Sequence, residues 1–117
     1  MENVNKAINE IARSMVEGTA LEAFEKYYHD EVVMQENAME PTVGKDANRI
    51  REQKFFSDVT EFREATPLQI TYDNNVSMVL WKLDYTHKDW GVRNYTQVSV
   101  QWWQDGKIVK EQFFYGA

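Results

Sequence analysis

The sequence predicts one α+β domain, in which helices pack on one face of a curved antiparallel sheet. Residues 1–66 hold 14 acidic and 8 basic side chains and place apolar residues at helical spacing. Residues 67–117 hold 5 of each, are rich in aromatic and β-branched residues, and alternate between apolar and polar. Because 117 residues without a linker or repeat suit a single domain, we expect one domain over 1–117.

Two helices are predicted at the start of the chain. Apolar residues recur every three or four positions over 3–16, and Gly18 follows as a helix-ending glycine. Thr19 and Glu22 have the spacing of a capping box, which predicts a short second helix over 20–28.

A short strand over 31–36, a loop over 37–43 and a third helix come next. Gly44 and Asp46 open this helix. Its predicted buried positions include Ala47, Ile50, Phe55 and Val59.

Four strands joined by short turns are predicted from Pro67 onward. Turns are expected at 73–75 and 87–91, and the Asp-Gly pair at 105–106 is the strongest hairpin signal in the chain. The last strand runs over 107–115. Helices on one face of this strongly curved sheet complete the α+β prediction.

Composition excludes several classes of function. The absence of cysteine excludes disulfides, thiolate zinc sites and cysteine nucleophiles, and a net charge of −6 argues against binding to nucleic acid or anionic membranes. The densest apolar stretch, 76–81, is too short to span a bilayer, and the first six residues lack a signal-peptide core. We therefore expect a cytoplasmic protein. His29 and His87 lie apart without metal-ligand spacing, and no phosphate-binding glycine loop is present, so we expect surface or turn histidines and no metal or cofactor.

Glu111 is the first candidate catalytic residue. Counting outward from a two-residue turn at 105–106 places Glu111 opposite Val100, on the face that Val98 and Trp102 mark as apolar. A carboxyl group there requires a partner or a raised pKa, which makes it a candidate for acid–base chemistry. A one-residue slip or a bulge would instead send Glu111 to solvent.

Glu36 is the second candidate. In a regular strand it shares a face with Val32 and Met34, and so lies at the end of an apolar stripe. It either faces a cavity or forms a solvated strand end.

The segments 27–36, 41–47 and 105–115 resemble the NTF2-like superfamily, with its SnoaL-like group of polyketide cyclases and ketosteroid isomerases as the closest branch. The resemblance implies a cone-shaped sheet wrapped around the N-terminal helices, a deep apolar pocket, and dimers through the outer sheet face. Glu36 matches the carboxylate base of ketosteroid isomerases, ahead of the loop with Pro41 and Gly44. Their helical Tyr has no counterpart here and their second acid falls near Val98, so their oxyanion hole is not carried over. Glu111 is our hypothesis for a replacement acid.

We expect the cone to hold a small, largely apolar ligand. The predicted wall comprises Val79, Trp81, Leu83, Tyr85, Val98, Val100 and Phe113, with Phe24, Tyr28 and Phe55 from the helices and Tyr115 as a hydrogen-bonding group. In the alternative, the same side chains fill the cone as ordinary core. The opposite face, with Gln97, Ser99, Gln101, Trp103, Gln112 and Phe114, is either a homodimer surface or solvated.

Three functions follow from these residues. In the first, Glu36, alone or with Glu111, performs cofactor-independent acid–base catalysis on a small carbonyl, ring or lactone compound. In the second, the domain binds a small molecule without catalysis. In the third, it is a dimeric scaffold with a vestigial pocket. Catalysis requires a raised carboxyl pKa and is lost in Glu36→Gln, whereas binding survives that change.

Overall fold

The structure, a computed structural model, describes the backbone of residues 2–116 and the side chains of residues 4–116. Met1 and Ala117 lie outside it, and the single domain over 1–117 stays a prediction. The described elements are α1 (Glu2–Glu17), α2 (Ala20–Tyr27), β1 (Tyr28–Glu36), β2 (Thr42–Val43), α3 (Lys45–Asp58), β3 (Val59–Tyr72), β4 (Val76–His87), β5 (Gly91–Gln104) and β6 (Lys107–Phe114). This order confirms the α+β class. No helix in the described range is long and apolar enough to cross a membrane.

The six strands form one sheet in the order β2-β1-β6-β5-β4-β3. All neighbours are antiparallel except β1 and β6, which run parallel, so the prediction of a purely antiparallel sheet needs this correction. The strands β2 and β3 are the two free edges within the described sheet, which is therefore open. Three register shifts between β3 and β4 are β-bulges, which bend and twist a sheet.

The helix α1 packs its apolar stripe into the core and ends as predicted. The buried stripe consists of Val4, Ala7, Ile8, Ile11 and Ala12. Gly18 adopts φ +79°, and the Thr19 N–H donates to the Ser14 carbonyl at 2.8 Å, which is the Schellman ending. The predicted capping box is wrong, because the Thr19 side chain makes no capping hydrogen bond and its carbonyl accepts the Glu22 N–H instead.

The helix α3 is tied to the sheet by a buried amide. Asn48 is fully buried, and its Nδ2 donates to the carbonyls of Val32, Thr42 and Gly44 at 3.3, 3.0 and 2.8 Å. These acceptors lie on β1, on β2 and at the N-cap of α3. One side chain therefore joins three segments.

The buried face of α3 differs from the prediction. Ala47 and Ile50 are exposed, with 67% exposure for Ile50. Asn48, Glu52 and Phe55 instead share the inner face, at spacings of four and three residues. Because the polar Asn48 anchors this helix, the positions of its apolar residues alone do not identify its inner face.

The β5–β6 hairpin turns as predicted. Asp105 and Gly106 have φ angles of +51° and +79°, the left-handed pair that a type I′ turn requires. Gln104 and Lys107 accordingly pair across it.

A β-bulge then shifts the rest of the hairpin by one residue. Trp103 pairs with Ile108, but Trp102 pairs with Lys110, which leaves Val109 as the extra residue. The predicted pairs beyond Gln104–Lys107 are therefore wrong by one position. A bulge was the alternative that would have sent Glu111 to solvent.

The strand β5 also turns its other face inward. Val98 and Val100 pair with the exposed Leu80 and Met78, so they lie on the outer face and not in the predicted pocket wall. The inward positions of β5 are Gln97, Ser99, Gln101 and Trp103, which were predicted on the outer face. The alternation of apolar and polar residues along β5 predicts the wrong inward face, because hydrogen bonds among the inward polar side chains remove the free-energy penalty for burying them.

Glu111 nevertheless lies inside. It pairs with Gln101 rather than Val100, and it is only 4% exposed. The prediction missed both the bulge, which shifts the pairing by one residue, and the true inward face of β5. These two mistakes cancel at Glu111, so its predicted inward position is correct.

Candidate functional site

An open cavity of about 520 Å³ lies between the helices and the inner face of the sheet. Its lining contains these predicted wall residues: Phe24, Tyr28, Phe55, Val79, Trp81, Leu83, Tyr85, Phe113 and Tyr115. Side chains therefore leave space inside the cone. That this space holds a ligand stays a prediction.

Three glutamates from three elements line this cavity. Glu36 comes from the end of β1, Glu52 from the middle of α3, and Glu111 from β6. Sequence reasoning missed Glu52. Its place one turn before Phe55 on a helix was the signal that could have found it.

Glu36 is held by two donors. The Tyr115 hydroxyl donates to Oε1 and Arg51 Nη2 donates to Oε2, both at 2.7 Å. Burial, then the hydrogen bond to Glu36, raises the pKa of Tyr115 to about 12. The expectation that Glu36 faces a cavity is thus met, with each of its oxygens occupied.

Glu111 is buried and also has two donors. The Tyr28 hydroxyl donates to Oε1, and Gln101 Nε2 donates to Oε2 at 2.8 Å. Burial raises the pKa of Glu111 to about 7, although both hydrogen bonds act to lower it, and the charge of Glu36 raises it further. Near neutral pH this carboxyl group is therefore close to half protonated.

The Gln101 amide organises the wall behind Glu111. Its Oε1 accepts from Ser77 Oγ at 2.7 Å, and its Nε2 also donates to Ser99 Oγ at 3.1 Å. The indoles of Trp103 and Trp81 donate to Ser77 and Ser99 at 2.8 and 3.2 Å. These bonds fix the orientation of the amide, so that its NH2 group points at the carboxylate.

Glu52 differs from the other two acids. None of the hydrogen bonds found among residues 4–116 reaches its carboxyl group, and the side chain is half-buried against the cavity. Burial raises the pKa of Glu52 to about 7, the negative charges of Glu111 and Glu36 add to the effect, and Arg51 opposes it. A carboxyl group with this pKa and a free lone pair can take up and return a proton at neutral pH.

His87 lies at the turn that we predicted over 87–91, but it is not a surface histidine. It is 4% exposed, stacks on Trp90 with ring centroids 3.7 Å apart, and lines the cavity. Its Nδ1 accepts the Asp89 N–H at 3.1 Å, while its Nε2 lies 3.9 Å from Asp58. Among the side chains that the structure describes, no group of three or more His, Asp or Glu has an arrangement that could hold a metal ion.

Comparison with known protein families identifies one match. Residues 10–111 match the family of SnoaL-like domains. No curated protein matches the chain.

Several solved structures have the same fold. A Mesorhizobium loti protein called a SnoaL-like polyketide cyclase is 24% identical with a TM-score of 0.84, over 96% of this chain and 98% of its own. An NTF2-like protein of unknown function from Burkholderia pseudomallei is 14% identical with a TM-score of 0.83, over 99% and 92%. A protein of Catenulispora acidiphila with a ketosteroid isomerase-like fold, in complex with trimethylamine, is 9% identical with a TM-score of 0.76, over 94% and 85%. These likenesses confirm the predicted fold.

Proposed function

The chain belongs to the SnoaL-like family, and from that basis we propose that its cavity binds a small, largely apolar carbonyl compound and transfers a proton on it without a cofactor. The observation that carries the proposal is the convergence of Glu36, Glu52 and Glu111 in one mainly apolar cavity. Burial brings the pKa of two of these acids to about 7, which is the range in which a carboxyl group both accepts and releases protons at neutral pH.

Glu52 is the proposed proton acceptor. Its carboxylate has no donor to displace among the described residues, whereas a proton transfer to Glu36 would first have to displace Tyr115 or Arg51. In the proposed step the C–H bond beside the carbonyl breaks and the proton moves to Glu52. The electron pair forms the C=C bond of an enolate, whose charge rests on the former carbonyl oxygen, and the proton then returns to carbon.

Glu111 and Tyr28 are proposed to stabilise that oxygen. When Glu111 is protonated, its carboxyl proton can be donated to the Tyr28 hydroxyl, because the two groups are already hydrogen-bonded. The Tyr28 proton is then free to turn toward the cavity that this side chain lines. A donor aimed at a developing oxyanion in a dry site is an effective source of catalysis.

Binding without catalysis is the second candidate. It is favoured by a specific observation, namely that both oxygens of Glu36 and both oxygens of Glu111 already accept hydrogen bonds. In this function the two acids are parts of the cavity wall, and Glu52 contacts a polar group of the ligand.

Exchange of carbon-bound hydrogen distinguishes the two functions. We would follow deuterium incorporation beside the carbonyl of 2-tetralone by proton NMR in D2O at pD 7, with wild type and Glu52→Gln. Proton transfer predicts enzyme-dependent exchange that falls about 100-fold or more in the variant, since a general base contributes on this order.

The control is Glu17→Gln, which removes an exposed carboxylate at the end of α1 and should exchange like wild type. Binding of 2-tetralone by every protein, without exchange above buffer, would leave binding as the function. Equal exchange by wild type and Glu52→Gln would contradict the role of Glu52.

A further inference from the structure

Arg93 is a cavity residue whose hydrogen-bonding capacity is not satisfied. It lies on β5 opposite Tyr85, and its half-buried side chain lines the cavity. Its Nε is buried, and no acceptor among residues 4–116 hydrogen-bonds to it. The guanidinium carbon lies 5.0 Å from the centroid of the Tyr95 ring, a cation–π contact that orients the guanidinium plane.

Two other arginines, one in the cavity and one on the exposed side of β3, are paired with carboxylates. Arg51 in the same cavity holds Glu36 at 2.7 Å, and Arg63 on β3 holds Asp84 at 2.9 Å. No carboxylate within the described range forms such an ion pair with Arg93. A carboxylate supplied by a ligand in the cavity would give the Arg93 guanidinium the kind of partner that the other arginines have.

We propose that Arg93 binds the carboxylate of an aromatic or otherwise apolar carboxylic acid, a proposal that rests on the ligand cavity of the proposed function and names its ligand class. The N–H groups of a guanidinium form a planar fork that matches the two oxygens of a carboxylate. A single negative charge suits the site. The lining contains five acidic groups against three of lysine and arginine, so a dianion would leave a charge that Arg93 alone does not neutralise.

The position of Arg93 separates the ligand's charge from the buried acid on β6. Glu111 pairs with Gln101, which is eight residues from Arg93 along β5. The two positions therefore lie well apart along the inner face of β5. Aromatic and aliphatic side chains of the neighbouring strand β4 line the cavity along this interval: Trp81, Leu83 and Tyr85. A ligand with an apolar ring system and a carboxylate at one end is complementary to this apolar wall and to the arginine at its end.

Glu52 lines the same cavity. It precedes Phe55 by one helical turn, and the Phe55 ring packs on Tyr85, the strand partner of Arg93, with centroids 5.4 Å apart. A ligand anchored at Arg93 therefore extends toward the proposed proton acceptor. The carboxylate would orient the carbonyl group of the same molecule.

Two naphthalene probes of equal ring size test the proposal. We would measure the affinities of 2-naphthoate and of the neutral 2-acetonaphthone by titration calorimetry at pH 6.5. The proteins are wild type, Arg93→Met, Arg93→Lys and Arg63→Met. Arg93→Met should weaken 2-naphthoate about tenfold or more and leave 2-acetonaphthone within about twofold, because only the charged pair is lost. Arg93→Lys keeps the positive charge but lacks the planar fork, so its affinity for 2-naphthoate should lie between those of wild type and Arg93→Met. The affinities of Arg63→Met should match those of wild type.

The outcomes separate the two proposals. If wild type binds 2-acetonaphthone as tightly as 2-naphthoate, or if Arg93→Met and Arg93→Lys weaken both probes equally, the assignment of Arg93 is overturned while the cavity is retained. If wild type binds neither probe, the ligand cavity of the proposed function is overturned as well. Thermal melting of the two Arg93 variants identifies a loss of folding.

Discussion

Gln101 and Glu111 lie directly opposite each other on β5 and β6, and the Gln101 amide donates a hydrogen bond of 2.8 Å to the Glu111 carboxylate. Because Ser77 and Ser99 hold the same amide, its orientation is set before it meets the acid. The ionisation of Glu111 is therefore coupled to the packing of the sheet. This coupling leads to the first prediction.

Gln101→Met should destabilise the fold and raise the pKa of Glu111 above about 7, because the lost hydrogen bond acts to lower it. Ser77 also loses a buried acceptor. We expect the free energy of unfolding in urea to fall by about 2–4 kcal/mol. Gln97→Met is the matched control, since no hydrogen bond to the Gln97 side chain is found in the described range, and it should change stability by about 0.5 kcal/mol or less. Equal losses in both variants would contradict the role of the amide.

Glu52→Gln should remove a pH dependence of stability. A carboxyl group whose pKa is raised in the folded state contributes stability that is fully present below its unfolded pKa, near 4.5, and is lost as pH rises through about 7. The variant should therefore match wild type near pH 4.5 and exceed it by about 2 kcal/mol at pH 8.

Urea titrations across that pH range measure this difference. Glu17→Gln, which changes an exposed acid on α1, should follow the wild-type curve at every pH. A constant offset between wild type and Glu52→Gln would show that Glu52 ionises normally in the folded protein.

Asn48→Ala should cost about 2–4 kcal/mol of unfolding free energy, because it removes a buried side chain and the donor that the carbonyls of Val32, Thr42 and Gly44 share. Asn9→Ala is the control on the exposed side of α1, where alanine is the better helix former. The control should be neutral or slightly stabilising. A small loss at Asn48 would mean that α3 is held by other contacts.

Gly106→Ala should destabilise the β5–β6 hairpin by about 1 kcal/mol, because residue 106 adopts φ +79°. A Cβ there would have no atom within 4 Å, so the cost is backbone strain alone. Gly116→Ala, where space is also open and no positive φ is found, should be neutral in the same thermal melts. Equal stability of the two variants would argue against a strained turn.

Leu80→Glu should convert a dimer into a monomer, if two copies pair through the outer face of the sheet as we expect. Met78, Leu80 and Phe114 are 42%, 37% and 42% exposed there, beside Val98. A symmetric interface would bring two new charges into an apolar contact.

Light scattering across a dilution series measures this change. Ile50→Glu, at an apolar and more exposed position on α3, should leave the dimer intact. A monomeric wild type at all concentrations would contradict the expectation of a dimer.

The face of β5 was beyond sequence reasoning, whereas Glu52 was missed although its helical spacing from Phe55 pointed to it. The extra residue at the bulge, Val109, shifts every later strand pair in the hairpin by one position, and no local sequence signal predicts it. The inward side of β5 is polar because Ser77, Ser99 and Gln101 satisfy one another, which is visible only when β4 and β5 lie side by side. The placement of Glu111 was correct through two cancelling errors.

The amino-acid sequence by itself determined the order of the helices and of every strand except β2, which lies in the predicted loop, together with the turn at 105–106 and the inward face of β4. Each depends on residues a few positions apart, through periodicity or through the φ angles that glycine and aspartate tolerate. Only the tertiary structure decided which acids meet. Glu36 accepts from Tyr115, 79 positions away, and Tyr28 donates to Glu111 across 83 positions. Such contacts depend on strand register and sheet curvature, in which a shift of one residue reverses the direction of every side chain.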